Sequence, residues 1–293
     1  MAIQFSVVRN GDHFSATADH GQAFPVGGKA RYKKVKYGLS NDSGYFGSDY
    51  ARQHLFWAKD FSQAFGFWAT FIEPTAICEG QSFLSLNTYD DARFTFGFAQ
   101  FAAHVPGGDF VLWLRDMLGR PEAADYFPDL SLKNGHIFRG AVQLETAAST
   151  QHLMDYLNPT LGATIEDAEV LAAARLMHWT VNNAGAQALQ VQRMVDIAHG
   201  LVKHADDKLK KGLNGKGGDI CCVVMDILHQ GRGGGTTYPQ MQAALNTASP
   251  FDALIEIGAT GQPDRVKHLK QIMQTARKGL QAKTWSSATA NFV

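Results

Sequence analysis

The nine residues Ile220-Cys221-Cys222-Val223-Val224-Met225-Asp226-Ile227-Leu228 carry a single charge. An amphipathic surface helix keeps a polar stripe, and a half-exposed strand alternates apolar with polar residues; this run does neither. It must therefore be enclosed on nearly every side, as a buried central helix or as a buried strand. Asn214-Gly215-Lys216-Gly217-Gly218 breaks the chain just before it. Asp226 then needs a partner inside the core, because an unpaired buried carboxylate costs several kcal/mol. His229, three residues on, and an arginine such as Arg265 are the candidates.

An enclosed element requires a shell. With 293 residues, 45% hydrophobic and 18% charged, the chain can build one large, mainly α (α+β) domain around it. Helical patterning starts near Ser48, a candidate N-cap, and continues through the aromatic run Leu55, Phe56, Trp57, Phe61, Phe65 and Trp68. A second helix is expected from Phe71 to Glu79, and another from Gly107. Thr164-Ile165-Glu166-Asp167 resembles a capping box ahead of Val170, Ala174 and Met177. Residues 187–204 place Val191, Val195, Ala198 and Val202 on one face. Ser249-Pro250-Phe251-Asp252 and Pro263 mark two later helix starts, the last with Val266, Leu269, Met273 and Leu280 on a stripe. Between these helices, Arg93 to Phe98 alternates as a short strand or an extended loop, so a small β or loop element is expected near residues 85–100. Residues 1–47 read as a loop-rich lead-in with room for a short hairpin, residues 48–283 as the main domain, and 284–293 as a frayed tail.

Formal net charge is zero, which excludes the counterion-release binding typical of general nucleic-acid binders. Cys78, Cys221 and Cys222 are too few and wrongly spaced for a disulfide framework or a zinc site, and read as reduced core thiols. The first residues do not read as a signal peptide, so none is expected, and no apolar stretch is long enough for membrane insertion. The expected product is made in the cytoplasm; reaching a target in the cell wall would require lysis or a specialised secretion route.

One segment carries candidate chemistry. Glu79 closes the apolar stretch Ala76-Ile77-Cys78, and burial of a carboxyl disfavours its charged form. An acid that keeps its proton near neutral pH can hand it to a leaving oxygen. Asp90 and Asp91 follow in a polar turn, where a carboxylate stays ionised; such a pair suits hydrolysis through an oxocarbenium-like transition state. Thr95 can alternatively position a water. Gly97 permits close approach, and Gln100 can donate to a hydroxyl or an acetamide. Cys78, among Ala, Ile and Glu, reads as a buried small hydrophobe rather than a nucleophile. His229 ends the buried segment as a hydrogen-bonding residue rather than a metal ligand. The Gly-rich Gly231-Arg232-Gly233-Gly234-Gly235 reads as a turn that exposes Arg232.

The order Glu79, Ser82-Phe83, a turn, then Thr95-Phe96-Gly97-Phe98-Ala99-Gln100 resembles the lysozyme-like superfamily of glycoside hydrolases. In goose-type lysozymes and lytic transglycosylases a catalytic Glu at a helix end is followed by a Gly-x-x-Gln element on the cleft wall. Cys78 and Gly80 flank the acid where transglycosylases have a Ser after it, which sets the chain apart from that branch. The run Asp226 to Gly234 resembles the central helix of the chitosanase branch, where an apolar helix ends in His and Gly beside the cleft. The two anchors lie in residues 50–115 and 219–275.

The resemblance implies a lysozyme-like helical domain that hydrolyses β-1,4 bonds of an amino-sugar polymer. Peptidoglycan is the first choice of substrate and deacetylated glycan (chitosan) the second. Glu79 would be the general acid, Asp91 or Asp90 the second carboxylate, and Gly97, Gln100, His229 and Arg232 the substrate-binding residues, with no metal and no cofactor. The rival expectation is a non-catalytic glycan-binding or structural protein of a phage or secretion apparatus.

Overall fold

The structure, a computed structural model, describes residues 2–33, 36–160 and 164–293. In chain order the first elements are β1 (Phe5–Asn10), β2 (His13–Ala18), β3 (Phe24–Tyr32), β4 (Lys36–Ser40), α1 (Ser48–Ala51), α2 (Ala58–Phe65) and α3 (Phe67–Cys78). Then come β5 (Leu86–Asn87), β6 (Thr95–Phe96), β7 (Phe101–Ala102), α4 (Asp109–Leu118), α5 (Ala123–Tyr126), β8 (Leu130–Lys133), β9 (His136–Arg139) and β10 (Val142–Gln143). The remainder is α6 (Gln151–Leu157), α7 (Asp167–Asn182), α8 (Ala184–Lys208), α9 (Gly218–His229), α10 (Thr237–Leu245), α11 (Pro250–Ile255), α12 (Pro263–Leu280), β11 (Trp285–Ser286) and β12 (Asn291–Phe292). At 47% helix and 17% strand the protein is α+β. It divides into two compact units, Met1–Phe56 with Gly80–Gln190, and Trp57–Glu79 with Val191–Val293.

The first unit is built on an antiparallel sheet whose seven strands follow one another in chain order, β1 to β7. The segment expected as a loop-rich lead-in therefore supplies four of them. Its alternation is visible afterwards: Phe14 and Ala16 of β2, and Phe24, Val26 and Ala30 of β3, are buried, while β1 is an edge strand with a mostly exposed face. Helix α7 packs against β1, β2 and β3. It starts after Glu166, and the expected Thr164 capping box does not form. The short strands β5 to β7 continue the sheet, so the small element expected near residues 85–100 is its outer part. Strand β4 meets β5 closely: a Cβ on Gly38 would lie 2.6 Å from the Thr88 carbonyl carbon, so only glycine fits there. Phe94, Phe96, Phe101, Phe110 and Trp113 pack as an aromatic core beneath these strands.

The second unit is helical. Here α9 is the enclosed element, packed against α3, α10, α11 and α12, and its residues from Cys221 to Ile227 are all buried. The stripe of Val266, Leu269, Met273 and Leu280 forms the buried face of α12, and Pro250 and Pro263 each stand in the first turn of their helices. The tail expected to fray is instead a hairpin. Trp285 of β11 is buried, Phe292 of β12 meets Phe67, Trp68 and Phe71, and the Trp68 indole donates to Asn291 at 3.1 Å. Three rings in the first half of one helix give two short strands something to close on. Among the described residues no helix is long and apolar enough to cross a membrane.

Candidate functional site

Helix α3 is apolar nearly all round, with Ala69, Phe71, Ile72, Thr75 and Ala76 buried, and it ends on Glu79 as its C-cap. The Glu79 amide closes the last turn onto the carbonyls of Thr75 and Ala76, both at 3.1 Å. That position fixes the start of the side chain on the rim of the helical unit. Three other segments of the same unit converge on it: the end of α9, the turn that follows it, and the first turn of α12.

Glu79 Oε1 accepts from Arg265 Nη1 at 2.7 Å and from the side-chain amide of Gln230. The other arm of Arg265 donates to Asp226 Oδ1, which also accepts from the Thr75 hydroxyl at 3.2 Å. Asp226 Oδ2 accepts from Arg232 Nη2 at 2.8 Å, and Arg232 Nη1 donates to the carbonyls of Ile257 (2.7 Å) and Ile255 (3.3 Å). The charges alternate, Glu79–Arg265–Asp226–Arg232, and sum to zero. Side-chain exposure rises along the chain of contacts: 0% for Arg232 and Asp226, 11% for Arg265 and 13% for Glu79. Glu79 and Arg265 are therefore the outer pair of a network whose inner pair, Asp226 and Arg232, is sealed. His229 lies beside it, with Nε2 3.9 Å from Oε1.

The network sets the ionisation of its cations. Burial lowers the proton affinity of Arg265, but the facing carboxylates of Asp226 and Glu79 outweigh it and raise its pKa above the usual arginine value. At Arg232 burial wins over its single carboxylate partner, Asp226, and the pKa falls. Burial pushes the Cys78 thiol up to about 12, against the pull of Arg265, which leaves almost no thiolate at neutral pH and agrees with a packing role. All three cysteines are free thiols.

The arrangement leaves Glu79 one usable oxygen. A carboxylic acid has one carbonyl acceptor and one hydroxyl donor. Both side-chain donors, Arg265 and Gln230, are on Oε1, and among the described residues none donates to Oε2. Oε2 is thus the Glu79 oxygen to which, among the described residues, no side chain donates.

The remaining expected residues divide between the units. Arg232, expected on an exposed turn as a substrate ligand, is instead fully buried. Gly231 (φ 62°) and Gly233 (φ 87°) turn the backbone so that its guanidinium points inward to Asp226. His229 stays at the rim beside Glu79. In the sheet unit, Asp90 closes its own turn, accepting from the Ala92 amide at 2.9 Å and the Asn87 side chain at 3.0 Å. Asp91 is 63% exposed, and its hydrogen bond and charge contact with Lys36, reinforced by Lys33, lower its pKa. Thr95 is buried in β6, paired with Asn87 and Ala102. Gly97 (φ 87°) permits the close approach expected of it, but what approaches is Gln190: a Cβ would lie 2.5 Å from Gln190 Oε1. Gln190 in turn receives the Phe98 amide at 3.3 Å and donates to the Phe83 carbonyl at 3.1 Å. Gln100 stands in the same turn, its amide bonded to the Gly97 carbonyl at 3.0 Å.

Sequence reasoning named Arg265 as a partner for Asp226 and missed Gln230 and Thr75. The one signal available for Arg232 was that a single acid in a nine-residue apolar run needs a cation near by, and Arg232 follows it in the next turn. Among the described residues no group of three or more His, Cys, Asp or Glu side chains is placed to hold a metal ion. Compared with family models, curated proteins and solved structures, the chain matches none.

Proposed function

We propose that the protein is a lysozyme-like glycoside hydrolase that cleaves β-1,4 bonds of an amino-sugar polymer, peptidoglycan first, with Glu79 as general acid. The observation that carries this reading is the state of Glu79: it alone of the network's carboxylates reaches the rim, and its two side-chain donors sit on one oxygen. Oε2 would give its proton to the leaving glycosidic oxygen, while Arg265 and Gln230 steady Oε1 as negative charge develops on the carboxylate. Holding the acid through a buried ion chain fixes its orientation, which proton transfer requires. His229 at the rim would meet substrate.

The test is loss of turbidity of purified cell walls, with chitosan as the second substrate. Glu79→Gln keeps the shape and an acceptor toward Arg265 but has no acidic proton, so turnover should fall by about a thousandfold with the protein still folded. Wild-type turnover in that variant removes Glu79 as the acid. A second reading is favoured by one observation, the 2.7 Å ion pair between Glu79 and Arg265. Glu79 would then serve as a counter-ion in a non-catalytic glycan-binding or structural protein. In that case the wild type clears neither substrate, and Glu79→Gln lowers stability instead.

A further inference from the structure

The sheet unit contains a pocket of about 230 Å³ along α7. Ala168, Leu171, Ala172 and Arg175 all line it, and their i, i+3, i+4, i+7 spacing makes them one stripe of that helix. Two carboxylates also line the pocket, and both are already engaged. Asp129 is paired with Arg139 at 3.1 Å and accepts from the Tyr156 hydroxyl at 2.9 Å. Asp155 is paired with Arg93 at 2.8 Å and accepts from Gln151 at 2.8 Å.

Arg175 is the exception. Among the described residues no carboxylate pairs with its side chain, and its Nε is buried without a partner. Its guanidinium carbon lies 5.6 Å from the centroid of the Phe127 ring, and its charge also acts on Tyr156 in the same lining. A guanidinium carries its five donors in a planar fork, and a buried donor left unmatched, as Nε is here, is costly. With Arg93 counted as the partner of Asp155, three guanidinium groups (Arg93, Arg139 and Arg175) share two carboxylates, and the one left over, Arg175, stands beside a short aliphatic wall.

We propose that this pocket binds a small aliphatic monocarboxylate, with the carboxylate on Arg175 and the hydrocarbon on Ala168, Leu171 and Ala172. A planar carboxylate matches the fork of Arg175 in bidentate fashion. Only one cation is uncompensated, and Asp129 and Asp155 repel a second negative charge, so a monoanion is preferred over a phosphate dianion. The volume is below the roughly 300 Å³ at which drug-sized pockets begin, which limits the ligand to a few heavy atoms.

The experiment is calorimetric titration of the full chain with isovalerate, its neutral isostere isovaleramide, and inorganic phosphate. Isovalerate should bind saturably with a Kd of about 1 mM or tighter. The affinity should fall by at least about tenfold in Arg175→Gln, as expected for loss of a charge-assisted pair. Isovaleramide and phosphate should not bind measurably. Ala168→Trp, on the exposed part of α7, should abolish isovalerate binding by filling the pocket, whether or not Arg175→Gln folds. The proposal is overturned by any of four results: no saturable isovalerate binding to the wild type, equal binding in Arg175→Gln, retained binding in Ala168→Trp, or isovaleramide or phosphate binding as tightly as isovalerate.

Discussion

Replacing Asp226 by asparagine removes one negative charge from the sealed end of the ion chain and almost no volume. Arg265 would still have Glu79 at 2.7 Å and partial access to solvent. Arg232 would not be so placed: its side chain has no exposure, and only the carbonyls of Ile255 and Ile257 would remain as strong acceptors. Breaking a buried pair by removing one partner typically costs about 3–5 kcal/mol, because the other charge stays buried. For a chain of this size each kcal/mol shifts the melting temperature by roughly 2–4 °C, so Asp226→Asn should melt about 10 °C below the wild type. The informative measurement is a cycle with Arg232→Met. If the cost is a stranded cation, the double variant Asp226→Asn/Arg232→Met should recover most of the loss, since an apolar side chain can occupy the space without an uncompensated charge. Thermal unfolding followed by circular dichroism reads all three variants. A fall of less than about 2 °C in Asp226→Asn, or strictly additive losses in the double variant, would refute the argument that this pair is held by mutual compensation.

Stability of the sheet should also depend on Glu169, a buried acid of α7 that accepts from the Thr88 hydroxyl and the Leu39 amide and whose pKa is raised by burial from 4.5 to about 7. A raised acid pKa means the folded state holds the proton more tightly, so the contribution is fully present below about pH 4.5 and is lost as pH rises through about 7. The shift corresponds to something on the order of 3 kcal/mol at high pH. Glu169→Gln should therefore flatten the fall in melting temperature between pH 5 and pH 8; an unchanged pH slope in that variant, read by calorimetry, counts against the assignment.

How much was legible in the sequence follows from where the constraint on each residue originates. The enclosure of α9 was legible because an all-round apolar run admits few environments, and the need for an Asp226 partner followed from the energetics of burial alone. The helix ends at Pro250 and Pro263 were legible because proline's missing amide suits a first turn. The four N-terminal strands were obscured by β1, an edge strand with little apolar alternation, and by the Gly27-Gly28 pair within β3. Arg232 was misread because a glycine-rich neighbourhood is usually a solvated turn; here the same glycines let the backbone turn the side chain inward. Gly97 was read as a point where sugar or backbone approaches closely; the group against it is the Gln190 side chain, which lies far along the chain, and no local pattern identifies it. The single open oxygen of Glu79 depends on Gln230 and Arg265, which only the folded helical unit brings to one carboxylate.

The helical unit is made of two stretches of chain, Trp57–Glu79 and Val191–Val293, and this division has a consequence for synthesis. Helix α3 emerges from the ribosome early, yet its partners α9 and α12 are encoded near the end. Until they are translated, a helix apolar on nearly every side has no core to enter. At about 5–20 residues per second the intervening Gly80–Gln190 takes several seconds or more to make, ample time for an exposed apolar segment to find the wrong partner. The stretch that ends in Glu79 is thus a natural client for a chaperone during elongation. A nascent chain released before α12 would leave that acid at the end of an unsheltered helix.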